Sequence, residues 1–333
     1  MQVYITVDVE VWPTRVEGWP HRPLERHQEC AQELGAYLAG HTDGGEFGIP
    51  YQLAILRKNR LKATFFVDPF FSFALGLGAL ARVVGMIEGA GQAVALHVHP
   101  EWLTDPRCEG LPSFRGPMIA DYPLDEQLRM ISLGIARLRE AGASPIPAFR
   151  AGSWGAGSDT LEALRRAGIL VDCSLNARMP QSFAHLAERT ALQDATPIQG
   201  LIELPASRLD DRSTPDGRVV SLVGNSASEI EFMLDECLTA GRKDVVLVLH
   251  SNEFVKTERL WRSLPVTPRR IASRRFEVVC SFLGARQDSM PTRLVTDAIA
   301  SPTRAAAVAD FMPRSHLGRT LLRKAGQLVA RWY

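Results

Sequence analysis

The sequence lacks the features that mark several common classes of protein. Its five cysteines form no C-x-x-C pair and no closely spaced pair, which argues against a disulfide framework and against a cysteine zinc site. It contains no G-x-G-x-x-G motif and no P-loop, so nucleotide binding has no support. The formal net charge is only +1, which gives no global field to attract nucleic acid. We therefore expect a reduced compartment and no nucleic-acid partner.

Targeting segments and long apolar runs are also missing. The chain passes from Met1 directly into a short apolar run, without the basic region, apolar core and cleavage site of a secretory signal. The most apolar stretch, residues 70–84, contains two glycines and Arg82 and is shorter than the roughly 20 residues that span a bilayer. These absences predict a cytoplasmic protein without a transmembrane helix.

Short apolar runs alternate with helical patterns about seven times. This alternation predicts an α/β fold, and more specifically a single irregular (β/α) barrel with about seven parallel strands rather than an open doubly wound sheet. The predicted strands cover residues 3–7, 63–67, 93–96, 146–149, 169–172, 201–204 and 245–249. The predicted helices cover residues 24–38, 51–60, 75–89, 124–141, 159–167 and 227–239, with Ser158 as a candidate N-cap.

The periodic pattern weakens after residue 285. We predict a barrel over residues 1–285, a connector over 286–313 and a basic amphipathic helix over 314–333. A basic amphipathic helix can lie on a membrane surface. It can equally pack on the barrel with its arginines in solvent.

Chemically active side chains follow five of the apolar runs. In parallel α/β folds the carboxyl ends of the strands face the same side, where catalytic groups collect. We therefore expect these side chains to share one rim and the protein to be an enzyme. The residues are Asp8, Glu10, His97, His99, Arg150, Asp172 and His250.

Two of these groups offer metal ligands. Asp8 and Glu10 are two residues apart on a strand end, so both side chains leave on the same side. His97 and His99 have the same spacing, and Glu101 joins them if the chain stays extended or shares a face with His97 if it turns helical. Imidazole and carboxylate together suit zinc, manganese, cobalt or iron. Arg150, at the end of an apolar strand, needs a carboxylate partner, for which Asp8 is the natural candidate.

The ordered motifs resemble those of the polysaccharide deacetylases, carbohydrate esterase family 4. They are ITVDVE at 5–10, HVHPE at 97–101, FRAGSWG at 149–155, VDCS at 171–174 and LHS at 249–251, and the text at 48–53 and 62–67 is also similar. The resemblance covers about residues 1–283 and implies a distorted barrel, usually of seven strands.

The resemblance also implies a role for each matching residue. It makes Asp8 the general base, Arg150 the arginine that orients it, and His250 the general acid. It makes Asp172 the acid that tunes His250. Glu10 and His97 match metal ligands of the first and second motifs.

Three departures from the family pattern matter. Glu10 is longer than the aspartate usual in the first motif. The second motif usually has two histidines four residues apart, but Glu101 occupies the second position, so either Glu101 or His99 supplies the third ligand. Gly152 stands where proline is common in the third motif, near the backbone amides of residues 151–153 that would stabilise an oxyanion.

The expected function is metal-dependent removal of an N-acyl group, acetyl above all, from an amino sugar of a glycan precursor or lipid-linked saccharide. The expected cofactor is one divalent cation, zinc first, with manganese or cobalt as alternatives. Trp12, Trp102 and Trp154 are candidate contacts for sugar rings. Three alternatives stay open: a metal-dependent hydrolase of the amidohydrolase type, which two metals per chain would indicate, an amidase for small cyclic amides, and a glycan-binding barrel without catalysis. The C-terminal helix would place the protein at the inner membrane face if it binds lipid.

Overall fold

The computed structural model describes most of the chain. The described residues are 1–11, 38–108, 110–186, 190, 192–212, 217–221, 224–256, 267–300 and 311–332. Trp12 and nearly all of the helix predicted at 24–38 lie outside them. Among the described residues, no helix has both the length and the apolar character needed to cross a bilayer.

A curled, half-barrel sheet of eight strands forms the body of the protein. Its strands are β1 (Gln2–Val9), β4 (Ala63–Val67), β5 (Ala93–Val98), β6 (Ala148–Ala151), β7 (Val171–Asp172), β8 (Thr196–Ile198), β9 (Leu201–Glu203) and β12 (Asp244–His250). Their order across the sheet is β12-β1-β4-β5-β6-β7-β9-β8. Seven of these strands run parallel, and only the edge strand β8 is antiparallel to its neighbour. The predicted irregular barrel of about seven parallel strands is confirmed.

Two small hairpins lie outside this sheet, and helices cover its outer face. The hairpins are β2 (His41–Thr42) with β3 (Gly45–Glu46), and β10 (Arg208–Leu209) with β11 (Arg218–Val219). The helices are α1 (Ile49–Lys58), α2 (Phe71–Leu75), α3 (Leu77–Gly89), α4 (Leu124–Glu140), α5 (Ser158–Arg166), α6 (Ala227–Thr239), α7 (Arg270–Gly284) and α8 (Leu317–Trp332).

Local expectations differ from the structure at several points. The sequence pattern missed α7, the hairpins and the antiparallel strand β8. The cap of α5 is Gly157 rather than Ser158, because the helix already begins at Ser158. The strand predicted at 146–149 begins two residues later, at Ala148.

Alternation along the strands builds two separate apolar layers. On β1, Val3, Ile5 and Val7 pack in the layer that contains the helices, whereas Tyr4 faces the concave side. Neighbouring strands place Phe66, Ala95, Ala148, Val171, Val246 and Val248 in the concave layer with Tyr4. Successive side chains of a strand point to opposite faces. Residues at even spacing after these concave residues therefore also lie on the concave face, at the carboxyl ends of the strands.

Register then brings the charged strand ends together. Asp8 on β1 lies opposite His250 on β12, and His97 on β5 lies opposite Arg150 on β6. These four residues come from distant parts of the sequence. Parallel pairing alone places them at one rim.

Part of the predicted connector packs against the barrel. Thr292 forms a bridge with Val3 at the first strand, and a 3-10 helix over Val295–Ala300 adds Val295 and Ala298 to the concave core. The start of α8 is also bound to the body, because Arg323 is only 1% exposed. The Arg323 guanidinium pairs with Asp211 at 2.6 Å and with Glu229 at 3.2 Å.

Candidate active site

Three potential metal ligands converge at the carboxyl ends of β1 and β5. Glu10 Oε1 lies 3.0 Å from His97 Nε2 and 3.0 Å from His99 Nε2. The ligand atoms of these three residues lie within 4.8 Å of one another. A carboxylate and two imidazoles are a donor set that suits zinc and related divalent cations.

The outer nitrogens of both histidines show that this donor set fits a cation. His97 Nδ1 lies 2.7 Å from the carbonyl oxygen of Arg150, and since a carbonyl only accepts, Nδ1 must carry the proton. His99 Nδ1 lies 3.2 Å from Glu101 Oε2, which favours the same tautomer. Neutral rings in this form aim two Nε2 lone pairs at the carboxylate of Glu10. Only a bound cation or additional protons can relieve the repulsion between these lone pairs and the carboxylate.

Glu101 therefore lies behind His99 rather than among the convergent ligand atoms. Its carboxylate holds the ring of His99 in the way that acids outside a metal's first ligand set commonly hold histidine ligands. Of the two possibilities that the sequence left open, the geometry favours His99 as the third ligand.

Within the cluster, Glu10 and His99 each favour the charged form of the other. Burial opposes the charge on Glu10, but the charge of His99 and hydrogen bonds from both histidines outweigh it and hold the pKa of Glu10 well below its usual range. Burial also opposes protonation of His99, yet the carboxylate of Glu10, helped by Glu101, raises the pKa of His99 well above its usual range. A metal must displace such protons, so its binding should weaken as the pH falls.

Asp8 lies beside the cluster and is held by arginine. Arg150 Nη1 donates to Asp8 Oδ1 at 2.6 Å, and both side chains are buried. Arg150 itself is fixed from three directions, since Nη2 donates to Thr6 Oγ1 at 2.9 Å, Nε donates to the carbonyl of Cys173 at 3.1 Å, and the guanidinium stacks 4.3 Å from the ring centre of Phe66.

A second possible ligand group contains Asp8, Glu10 and His250. We favour the His97 and His99 group, because Arg150 already neutralises Asp8.

His250 occupies the open side of the site. Its side chain is 38% exposed, and its Nε2 lies 3.9 Å from Glu10 Oε1. On the other side of the ring, Nδ1 lies 3.0 Å from Glu253 Oε1. Burial opposes the imidazolium, but the hydrogen bond to Glu253 and the charge of Glu10 raise the pKa of His250 to about 10. The ring therefore carries a proton at neutral pH in the metal-free protein.

The structure does not bring Asp172 to His250, although the motif resemblance assigned Asp172 to tune that histidine. Val171 faces the concave core, so the next side chain, Asp172, points to the opposite face of the sheet. There it accepts from Ser174 Oγ at 2.5 Å and lies opposite Glu203 on β9. The missed residue is Glu253, three positions after His250, and an acid in the turn that follows a strand-end histidine is the signal that could have found it.

Asp172 and Glu203 form a buried pair of carboxyl groups. One oxygen of each lacks a donor among the residues that the structure describes. Burial raises the pKa of Asp172 to about 6, and burial and the charge of Asp172 raise that of Glu203 well above its usual range. A proton shared by the two groups would satisfy both oxygens.

Two of the predicted sugar-binding tryptophans lie in different surroundings. Trp102 is 2% exposed and packs in the helix-side core, so its ring cannot form a sugar platform. Trp154 is partly exposed, and its ring lies 5.2 Å from the guanidinium of Arg150. Trp154 follows Ser153 in a turn where both residues have positive φ, 52° and 58°, a conformation unusual for non-glycine residues and often found at functional sites.

Gly152 has a steric function that the sequence did not reveal. A Cβ atom there would lie 2.7 Å from Cε1 and Nδ1 of His99 and 2.7 Å from the carbonyl oxygen of Val98. The absence of a side chain therefore makes room for the imidazole of His99. The neighbouring Ala151 amide donates to Ser174 Oγ at 2.8 Å, so it is already engaged and does not fit the expected oxyanion donor.

Comparison with known proteins shows which solved structures have a similar fold. No protein-family model and no curated protein matches the sequence. A putative polysaccharide deacetylase from Mycobacterium smegmatis is 17% identical, with a TM-score of 0.51 over 93% of this chain and 95% of that one. A family 4 carbohydrate esterase from Streptomyces lividans, in complex with acetate, is 12% identical, with a TM-score of 0.41 over 92% of this chain and 98% of that one. From its sheet and its similarity to the first of these structures, the chain has the fold of that putative polysaccharide deacetylase.

Proposed function

We propose that this protein is a metal-dependent hydrolase that removes an acetyl group from the nitrogen of an amino sugar. One observation carries the proposal. Two imidazole nitrogens and one carboxylate oxygen converge at 3.0 Å, between a carboxylate held by arginine and an imidazole held by glutamate. Amide hydrolysis requires a base for water and an acid for the leaving amine, and these two groups supply them.

Glu10, His97 and His99 would hold the cation. When bound, a divalent cation would polarise the amide carbonyl and lower the pKa of water. Asp8, held by Arg150, takes a proton from the attacking water. His250 donates the proton on Nε2 to the departing nitrogen as the C–N bond breaks. The concave rim places these two groups on neighbouring strands, which suits attack and departure at a single carbonyl carbon.

Metal analysis beside kinetics tests this proposal. The purified protein should hold about one zinc, manganese or cobalt ion per chain and release acetate from acetylated chito-oligosaccharides. Glu10→Ala and His97→Ala should lose both the metal and turnover. Asp8→Asn should keep the metal and lose turnover by about 10²-fold or more, the usual contribution of a general base. Glu162→Gln, a substitution in an ion pair on the solvent face of α5, serves as the matched control.

The outcomes separate the alternatives. Retained turnover in Asp8→Asn would overturn Asp8 as the base. Hydrolysis of cyclic amides but not of acetylated sugars would keep the chemistry and change the substrate. Sugar binding without metal would favour a glycan-binding barrel.

We propose further that the substrate is a glycan precursor near a membrane surface. Leu317 and Leu321 on α8 are 57% and 64% exposed, one helical turn apart, and Lys324 is also exposed. Such a stripe suits the surface of an anionic bilayer. The protein should float with anionic liposomes, and a Leu317→Ser, Leu321→Ser double variant should not. No flotation of the parent protein would remove the membrane setting and leave the hydrolase proposal intact.

A further inference from the structure

We propose that Glu253 is the positioning residue for His250, replacing the strand aspartate that the motif resemblance assigned to this task. The inference rests on the proposed hydrolase function. Glu253 touches neither the convergent ligand atoms nor the open side of the site. It acts through the imidazole.

The contact between the two side chains defines the tautomer. Glu253 Oε1 lies 3.0 Å from His250 Nδ1, and Glu253 is only 8% exposed. A carboxylate accepts, so Nδ1 carries the hydrogen of this bond. The exchangeable proton is then the one on Nε2, the nitrogen that faces the site.

The turn that carries Glu253 is itself held in place. The amide of Ser251 donates to the carbonyl of Asp8 at 2.9 Å, which ties the turn to β1. The fully buried Gln52 on α1 donates from Nε2 to the carbonyls of His250 and Ser251, at 3.2 and 3.1 Å. Phe254, the next residue after Glu253, is fully buried. Because of these contacts, the acid and the ring are positioned before any substrate arrives.

Asp172 cannot take this part. Its side chain lies on the helix side of the sheet, where Ser174 and Glu203 engage it, whereas His250 follows the concave residues Val246 and Val248. Two carboxylates thus have separate tasks on opposite faces. The pair of Asp172 and Glu203 is a structural feature of the strands, and Glu253 serves the site.

The proton balance of the step follows from this arrangement. The water oxygen forms a bond to the carbonyl carbon and gives its proton to Asp8. The C–N bond then breaks, and the nitrogen takes the proton from His250 Nε2. His250 is left neutral with its Nδ1 hydrogen still directed at Glu253, which favours this tautomer over the inactive one.

The dependence of the rate on the leaving group tests the inference. An amine must be protonated to leave, whereas 4-nitrophenolate leaves without a proton. In Glu253→Gln, kcat for acetylated chito-oligosaccharide should fall about 10²-fold, within the range that general acids contribute. Both kcat for 4-nitrophenyl acetate and KM for the amide should stay within about threefold of the parent values, since the base and the ligands are untouched. Metal content should also be unchanged.

Two further variants and one spectroscopic readout complete the design. Asp172→Asn should show no selective loss on the amide, and Glu162→Gln on the surface should match the parent protein. Side-chain ¹⁵N NMR of His250, recorded at a pH where the ring is neutral, reports the tautomer without any turnover, and Glu253→Gln should reduce the Nδ1-protonated form. Equal losses on amide and ester, or an amide-selective loss in Asp172→Asn, would overturn the role of Glu253. A parent protein that hydrolyses neither substrate would overturn the proposed function itself, whatever the NMR result.

Discussion

A single added methyl group at Gly152 should weaken metal binding. In Gly152→Ala the new Cβ would stand 2.7 Å from two ring atoms of His99 and from the backbone oxygen of Val98. The backbone oxygen lies within β5 and its sheet pairing, so the ring is the part that can yield. To restore an ordinary contact of 3.4 Å, the ring must retreat by about 0.7 Å.

The size of this displacement determines the expected effect. Metal–nitrogen distances are maintained within about 0.2 Å, so a shift of about 0.7 Å takes His99 Nε2 out of ligand range or strains the cluster. Losing the support of a ligand typically costs 10- to 100-fold in metal affinity, and overpacking costs about 1–3 kcal/mol of stability. We expect both effects in Gly152→Ala.

Calorimetric titration of the metal-free protein with zinc and with cobalt measures the affinity, and thermal unfolding measures the stability. Gly85→Ala is the control, because Gly85 lies inside α3 and a Cβ there meets nothing within 4 Å. The control should gain up to about 1 kcal/mol from helix propensity and bind metal normally. Parent-like affinity and an unchanged cobalt absorption spectrum in Gly152→Ala would refute the assignment of His99 as a ligand.

Two other regions yield predictions of stability. The folded pair of Asp172 and Glu203 keeps a proton that the unfolded chain releases near pH 4, because burial raises both pKa values. The contribution of the pair is therefore fully present at low pH and is lost as the pH rises through the raised pKa values. In metal-free Glu203→Gln, the loss of unfolding free energy between pH 5 and pH 8 should be smaller by at least about 1 kcal/mol, as measured by urea denaturation, and an unchanged pH slope would contradict the shared proton. Arg323→Ala leaves Asp211 and Glu229 buried without their main cation, so the free energy of unfolding should fall by about 3 kcal/mol. A loss below about 1 kcal/mol would mean that this contact does not hold α8 on the barrel.

Sequence periodicity was enough to predict the fold class, because the fold class depends on local patterns of apolar and polar residues. The alternation of short apolar runs with helical stretches indicated seven parallel strands, and the strand-end position of His97, Arg150 and His250 predicted a common rim. Both rest on rules that hold for all parallel sheets. The helix at Arg270–Gly284 was missed although its apolar side chains recur at helical spacing. The edge strand β8 was missed because its three residues are too few to show an alternating pattern.

The sequence by itself determined which chemical groups this protein has and that most of them follow strands. The tertiary structure decided which groups meet. Asp172 also ends a strand, but Val171 before it faces the concave side, so the side chain of Asp172 points away from the concave face. Because side chains alternate along a strand, a shift of one position moves a side chain to the opposite face. Glu253 lies in a turn with no periodicity, so only the folded turn brings it to the ring of His250. Likewise Glu101 and His99 are indistinguishable as ligands in the sequence, and the space left by Gly152, about 50 residues away, favours His99.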